Sequence, residues 1–243
     1  MMQIIKKSEQ FNDVIFGGRF HANKPVYVGN ADTKPYSSLY YWSNGYINEA
    51  CEFGLHPHEG FEILTFIFEG KNEHYDTATQ VWTPLHAGDF QIIQSNSGIQ
   101  HQERIEANSR AFQIWFDPNF YEAIKLNPSY VDYSGKDFLP VEENGIATIT
   151  YIGNGSKAKV LTPNLTIKKL FFENEIKTKI LLDAEMSYTF YVLNGSGYAN
   201  DTAIAQDDAI RVSNSRELEL NFKGELFYIE TPTTIDYKPI WTI

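Results

Sequence analysis

The chain has 243 residues, 42% of them hydrophobic and 15% aromatic, with a formal net charge of −11. That is enough apolar material for one large cored domain or two small ones, and it excludes a disordered chain. The acidic balance, with no basic cluster to override it, excludes direct binding to nucleic-acid phosphates and to anionic membrane surfaces.

From the start, MMQIIKKSEQ carries an apolar run too short for a signal peptide. No stretch reaches the ~18 apolar residues of a membrane span. Cys51 is the single cysteine, so no intrachain disulfide forms; it is expected as a small buried or half-buried residue in a reducing compartment. A cytoplasmic monomer is expected.

Short strand-like runs follow in order: Ser38–Trp42, Glu62–Phe68, Phe90–Gln94 and Ala111–Phe116. Gly54, Gly60, Gly70, Gly88 and Asn96-Ser97-Gly98 punctuate them, a spacing that predicts a β-sandwich or barrel. Phe120–Lys125 predicts a helical turn or two. Residues 127–147, rich in Pro, Gly and acidic side chains, read as a surface connector. Beyond it come Thr166–Phe172, Lys179–Leu182, Tyr188–Leu193, a glycine-marked break at Asn194–Gly197, Glu217–Phe222 and Glu225–Glu230.

The halves repeat each other. Glu62–Gly70 (EILTFIFEG) parallels Ser187–Gly195 (SYTFYVLNG), and residues 88–93 (GDFQII) parallel 207–212 (DDAIRV). The expectation is an all-β chain of two duplicated barrels, residues 1–135 and 136–243. All six histidines lie at or before position 101, so only the first barrel is expected to hold a metal.

The chemistry concentrates in two short segments. Residues 53–62 read FGLHPHEGFE, and residues 98–103 read GIQHQE. Side chains alternate along a strand, so His56 and His58 share one face, as do His101 and Glu103. Two facing strands would gather three imidazoles and a carboxylate. That set suits Fe(II), Mn(II), Ni(II), Cu(II) or Zn(II), leaves open positions and disfavours a structural zinc site. Glu62 shares the parity of His58 and is the alternative carboxylate ligand, or a group that orients a histidine. His74 reads as a polar turn residue, and His86 as a solvated loop residue. Gln91, Gln100, Gln102 and Gln113 are left unranked as groups that could hydrogen-bond a substrate.

FGLHPHEGFEILTFIFEG, continued by Asn72-Glu-His-Tyr-Asp76, Ala87–Gln91 and Ser97–Glu103, resembles the pirin family of the cupin superfamily over roughly residues 50–116. The resemblance implies a bicupin of two double-stranded β-helix barrels with one iron in the first, at His56, His58, His101 and Glu103. It departs at Glu59, where the family often has Arg, and at Ser95–Gly98, where Ala-Gly-x-Gly is usual. Some bacterial relatives are described as quercetin 2,3-dioxygenases, and a eukaryotic branch as transcriptional co-regulators. The resemblance therefore implies a metal-dependent dioxygenase of a small phenolic substrate, with Glu103 as ligand and base. The alternative is a non-catalytic metal-binding regulator acting through protein partners. A different small-molecule reaction at the same site is a third reading.

Overall fold

The computed structural model describes residues 1–242. Antiparallel strands dominate, and the one α-helix among the described residues is the single turn Phe120–Ala123. The all-β architecture expected from the sequence is the one observed. No helix among the described residues is long and apolar enough to cross a membrane.

The chain packs as two units. One comprises residues 11–137, residues 160–162 and the chain from Tyr237 onward; the other comprises residues 1–10, 138–159 and 163–236. In the first, a seven-stranded sheet runs in the order Ser129–Tyr133, Phe90–Gln94, Glu62–Glu69, Ser109–Phe116, Leu39–Ile47, Phe20–Val26, Phe11–Ile15. A four-stranded sheet, Cys51–His58, Ile99–Ile105, Lys71–Asp76, Trp82–His86, completes the barrel. Central strand Glu62–Glu69 is buried on both faces from Glu62 through Ile67, as a strand flanked on both sides should be. Ile99–Ile105 alternates instead: Ile99, His101, Glu103 and Ile105 are buried, while Gln100, Gln102 and Arg104 lie further out.

The second unit is one eight-stranded sheet. Its long strands, Thr166–Leu181, Met186–Ala199 and Glu217–Pro232, each serve both walls. They bend where the register shifts, between Phe172 and Ile176 and between Val192 and Asn194. Gly195 and Gly224 face each other there with φ of 89° and 131°. A Cβ on Gly195 would lie 2.0 Å from the Lys223 carbonyl oxygen, so only glycine permits the approach. The break expected at Asn194–Gly197 is thus a bulge inside a continuous strand. The segment expected as a surface connector also contributes strands. Ser129–Tyr133 pairs with Phe90–Gln94, and Val141–Glu143 forms a hairpin with Ile146–Ile152 through Asn144-Gly145, both at positive φ.

The duplication is visible in the hydrogen bonds. Ile67 N donates to Asp89 O and Gly88 N to Ile67 O, at 3.0 and 2.8 Å; Val192 N donates to Asp208 O and Asp207 N to Val192 O at the same distances. Asp89 and Asp208 accept from His86 N and Ala205 N in the same turn. These bonds fix a residue-by-residue correspondence between the barrels.

Candidate metal centre

The histidines reach the interior of the first barrel through a bulge. Along Ile99–Ile105, Glu103 stands opposite Phe53 but His101 opposite His56 and Ile99 opposite His58, so Cys51–His58 holds one extra residue near Gly54-Leu55. Cys51 and Phe53 face inward before it. If these same residues alternated without a bulge, Leu55 and Pro57 would turn inward and both histidines outward. The bulge also supplies a bond: Nδ1 of His56 lies 2.7 Å from the Gly54 carbonyl oxygen. A carbonyl can only accept, so Nδ1 carries the proton and Nε2 keeps the lone pair a metal needs.

The side chains converge. His56, His58 and His101 each offer a ring nitrogen within 4.8 Å of the others'. Their ring centroids lie 4.4–4.9 Å apart. His101 is fully buried. Neither of its ring nitrogens, nor Nε2 of His58, has a hydrogen-bond partner. Buried polar atoms left without partners are uncommon and costly. Burial, then the neighbouring His56, lowers the His58 pKa to about 4; burial, then the other histidines, lowers His101 to about 2. Three imidazoles with converging ring nitrogens fit a single transition-metal ion.

Glu103 lies two residues along the strand from His101, on the same face, but outside the three-nitrogen group. Its carboxyl is buried, which raises the pKa to about 7, against the opposing pull of Gln113. Nε2 of Gln113 donates to both carboxyl oxygens at 3.3 and 3.5 Å, and Trp115 Nε1 donates to Gln113 Oε1 at 3.1 Å. Since Gln113 accepts from the indole, its amide orientation is fixed, and with it the donor aimed at Glu103. The Trp115 ring stands edge-on to His58, 4.8 Å between centroids.

Glu62 has a different task. Its oxygens accept from Gln94 Nε2, Leu161 N, Thr162 N and Thr162 Oγ1 at 2.7–3.0 Å. Burial raises its pKa, and these four donors pull it back. The carboxylate pins residues 160–162 to the first barrel.

His74 is not a turn residue. It lies mid-strand, 1% exposed, stacked on Tyr130 at 4.3 Å and 5.3 Å from the His101 ring. Neither ring nitrogen has a hydrogen-bond partner, and burial lowers its pKa to about 4. The signal was alternation: Asn72, His74 and Asp76 are buried, and Lys71, Glu73 and Tyr75 only partly so. Of the four glutamines, Gln113 touches Glu103 and Gln91 bonds Thr65 inside the barrel. Gln102 instead reaches Glu52, and Gln100 is exposed. His86 is solvated, as expected, and Cys51 is buried.

Residues 16–116, which hold all of these groups except Tyr130 and residues 160–162, match the model of the Pirin family. Over these residues the chain is similar to the pirin family. A pirin-like protein of Arabidopsis thaliana is 27% identical over 173 residues, 67% of this chain and 55% of that protein. The quercetin 2,3-dioxygenase of Escherichia coli K12 is 35% identical over 98 residues, 39% of this chain and 41% of that one. The matches thus span about half, or less, of these curated relatives. Among solved structures, a bacterial pirin of Escherichia coli in complex with nickel(II) superposes with a TM-score of 0.78 at 20% identity, covering 96% of this chain and 100% of that one. A quercetin 2,3-dioxygenase from Acinetobacter baumannii gives 0.81 at 20% identity, covering 95% and 79%. At these identities the structural likeness establishes that the chain shares the fold of these proteins, and nothing finer.

Proposed function

We propose that this chain is a pirin that holds one divalent metal ion, Fe(II) in the first instance, through His56, His58, His101 and Glu103, and cleaves flavonols such as quercetin with dioxygen. The observation that carries the reading is the convergence of three imidazoles beside a buried carboxyl. The relatives named as quercetin 2,3-dioxygenases and the nickel complex of the bacterial pirin support it. When bound, the ion supplies a Lewis-acidic position that lowers the pKa of a phenolic hydroxyl.

The chain's own residues do the rest. His56, His58 and His101 hold their positions through the strand pairing. Glu103, on the same face of the strand as His101, takes the proton that the substrate hydroxyl releases. Gln113, fixed by Trp115, keeps the carboxyl aimed. Trp115, Tyr40 and Phe61 pack together beside His58, with centroids 4.7–6.2 Å apart, and offer a planar ring a stacking wall.

Flavonols chelate metals and oxidise in air, so colour loss alone is not a test. Wild type and Glu103→Ala, each reconstituted with Fe(II), Mn(II), Ni(II) or Cu(II), are compared by carbon monoxide release. Wild type should release carbon monoxide and the variant, at equal metal occupancy, far less. No release with any metal rejects the dioxygenase reading in favour of a metal-dependent binding role toward protein partners.

A further inference from the structure

The first barrel is hollow beside Glu103. A cavity of ≈190 Å³ opens among Glu103, Gln113, Thr65, Phe53 and Phe112, and extends to Lys24. The correspondence between the barrels shows why. Where Thr65, Gln113, Ala111, Gly45 and Glu103 line this space, the second barrel places Phe190, Tyr228, Leu226, Leu170 and Leu220, all in its packed core. Small or polar residues stand at the positions that fill the other barrel. The hollow follows from the sequence and is no accident of packing.

Its charged groups fall into two sets on different strands. Glu103, with Gln113 beside it, is one. In the other, Lys24 is 10% exposed, with Asp13 at 3.0 Å and its ammonium 4.7–5.5 Å from the rings of Phe11, Tyr27 and Tyr41. Among the described lining residues Lys24 is the one cation. An ammonium has three donors; Asp13 and the Tyr41 hydroxyl engage it, and Asp13 is itself 38% exposed at the rim. The remaining walls are Phe20, Ile47, Phe53, Ile105 and Phe112, with the small polar side chains of Ser43, Thr65 and Asn72 among them. A cavity of about 150 Å³ accommodates one benzene ring. The space therefore suits one ring and its substituents, and not the three rings of a flavonol.

We propose that this cavity binds a single-ring hydroxy acid, its carboxylate paired with Lys24 and its ring hydroxyl turned toward Glu103 and Gln113. The proposal deepens the reading of the metal site and rests on it for the fate of the hydroxyl, while binding itself does not depend on that reading.

The test is calorimetric titration of the protein, as isolated and after chelation, with 3-hydroxybenzoate, 4-hydroxybenzoate and phenol. At least one hydroxybenzoate should bind about tenfold more tightly than phenol, as a charge-assisted contact implies. Lys24→Met should erase that preference. Asp13→Asn, which removes the carboxylate competing for Lys24, should strengthen hydroxybenzoate binding. Ala111→Leu, which installs the residue of the second barrel, should abolish binding of all three. Phenol binding as tightly as both acids, or unaltered binding in Ala111→Leu, overturns the proposal. If Ala111→Leu fails to fold, opposite effects of Lys24→Met and Asp13→Asn are still required, and equal signs or no effect overturn it. Carbon monoxide release from quercetin on the same preparations separates the two readings. Acid binding without release removes the flavonol reaction alone, and release without acid binding removes the cavity proposal alone.

Discussion

Two barrels of one chain share a hydrogen-bond frame and differ in what they place inside it. His56, His58, His101 and Glu103 correspond in register to Ile180, Leu182, Leu218 and Leu220, and His74 corresponds to Ala199. Leu182, Leu218, Leu220 and Ala199 belong to the core of the second barrel, and Ile180 packs against it. Each of these five groups has an aliphatic counterpart one repeat away. The frame therefore needs none of these groups in order to fold. Their presence in the first barrel costs desolvation, and a bound ion offsets that cost by binding only the folded state.

The sharpest way to break this contrast is to install the second barrel's residues at the ligand positions. In His56→Ile/His101→Leu, metal content by mass spectrometry should fall from one equivalent per chain to near zero, as it should in His56→Ala/His101→Ala. A full equivalent in either variant removes the site.

The next test transfers a polar group in the other direction. Leu220→Glu places the counterpart of Glu103 in a core with no ligand partners. It should destabilise the protein by about 3–5 kcal/mol in urea unfolding, the usual scale for an unpaired buried charge. A loss below about 1 kcal/mol would mean that the second barrel is as hollow as the first.

A third test uses pH on the metal-free protein. The pKa of Glu103 is about 7 against an ordinary 4.5, so the fold keeps a proton that the unfolded chain releases. Its contribution is greatest below pH 4.5 and is lost as pH rises to about 7, at most on the order of 3 kcal/mol. His58 and His101 act oppositely. Their pKa values of about 4 and about 2 lie below the ordinary 6.5, so stability falls as pH drops below 6.5. Glu103→Gln should remove the alkaline loss and leave the acid loss in place. Identical pH profiles for variant and wild type would contradict the burial of this carboxyl.

The smallest effect concerns the residues that aim Glu103. Gln113→Leu, which removes the amide donor, should weaken metal affinity by about tenfold, the usual scale for a group that orients a ligand. Trp115→Phe should do less, because Gln113 remains. A larger loss for Trp115→Phe would place the indole, and not the amide, in control.

Much of this was legible in the sequence. Alternation placed His101 and Glu103 on one face, and the absence of histidine after position 101 identified the barrel without the cluster. The pairing of EILTFIFEG with SYTFYVLNG marked the duplication. The bulge was not legible, because Gly54-Leu55 reads as ordinary alternation and only the partner strand reveals the extra residue. His74 was lost for a related reason: its place a few residues after the preceding strand and beside Asp76 suggested a turn, although the alternation of residues 71–76 fits a half-buried strand. Asn194–Gly197 read as punctuation because glycine marks turns more often than crossings. Glu62 looked like a ligand by parity, and its true partners, Leu161 and Thr162, lie about a hundred residues away.

Contacts between residues far apart in sequence set a timetable for synthesis. Met2–Ile5 pairs with Ala209–Ser213, Lys6 reaches Asp208, and Gln10 donates to the Asp207 carbonyl. At translation rates of 5–20 residues per second, this strand waits about 10–40 s for its partner to be made. Asp117 waits about 6–25 s for Tyr237 and Ile240, which both bond it. Through the longer interval the ribosome-bound chain presents an unpaired Met-Gln-Ile-Ile edge to any chaperone or neighbouring nascent chain.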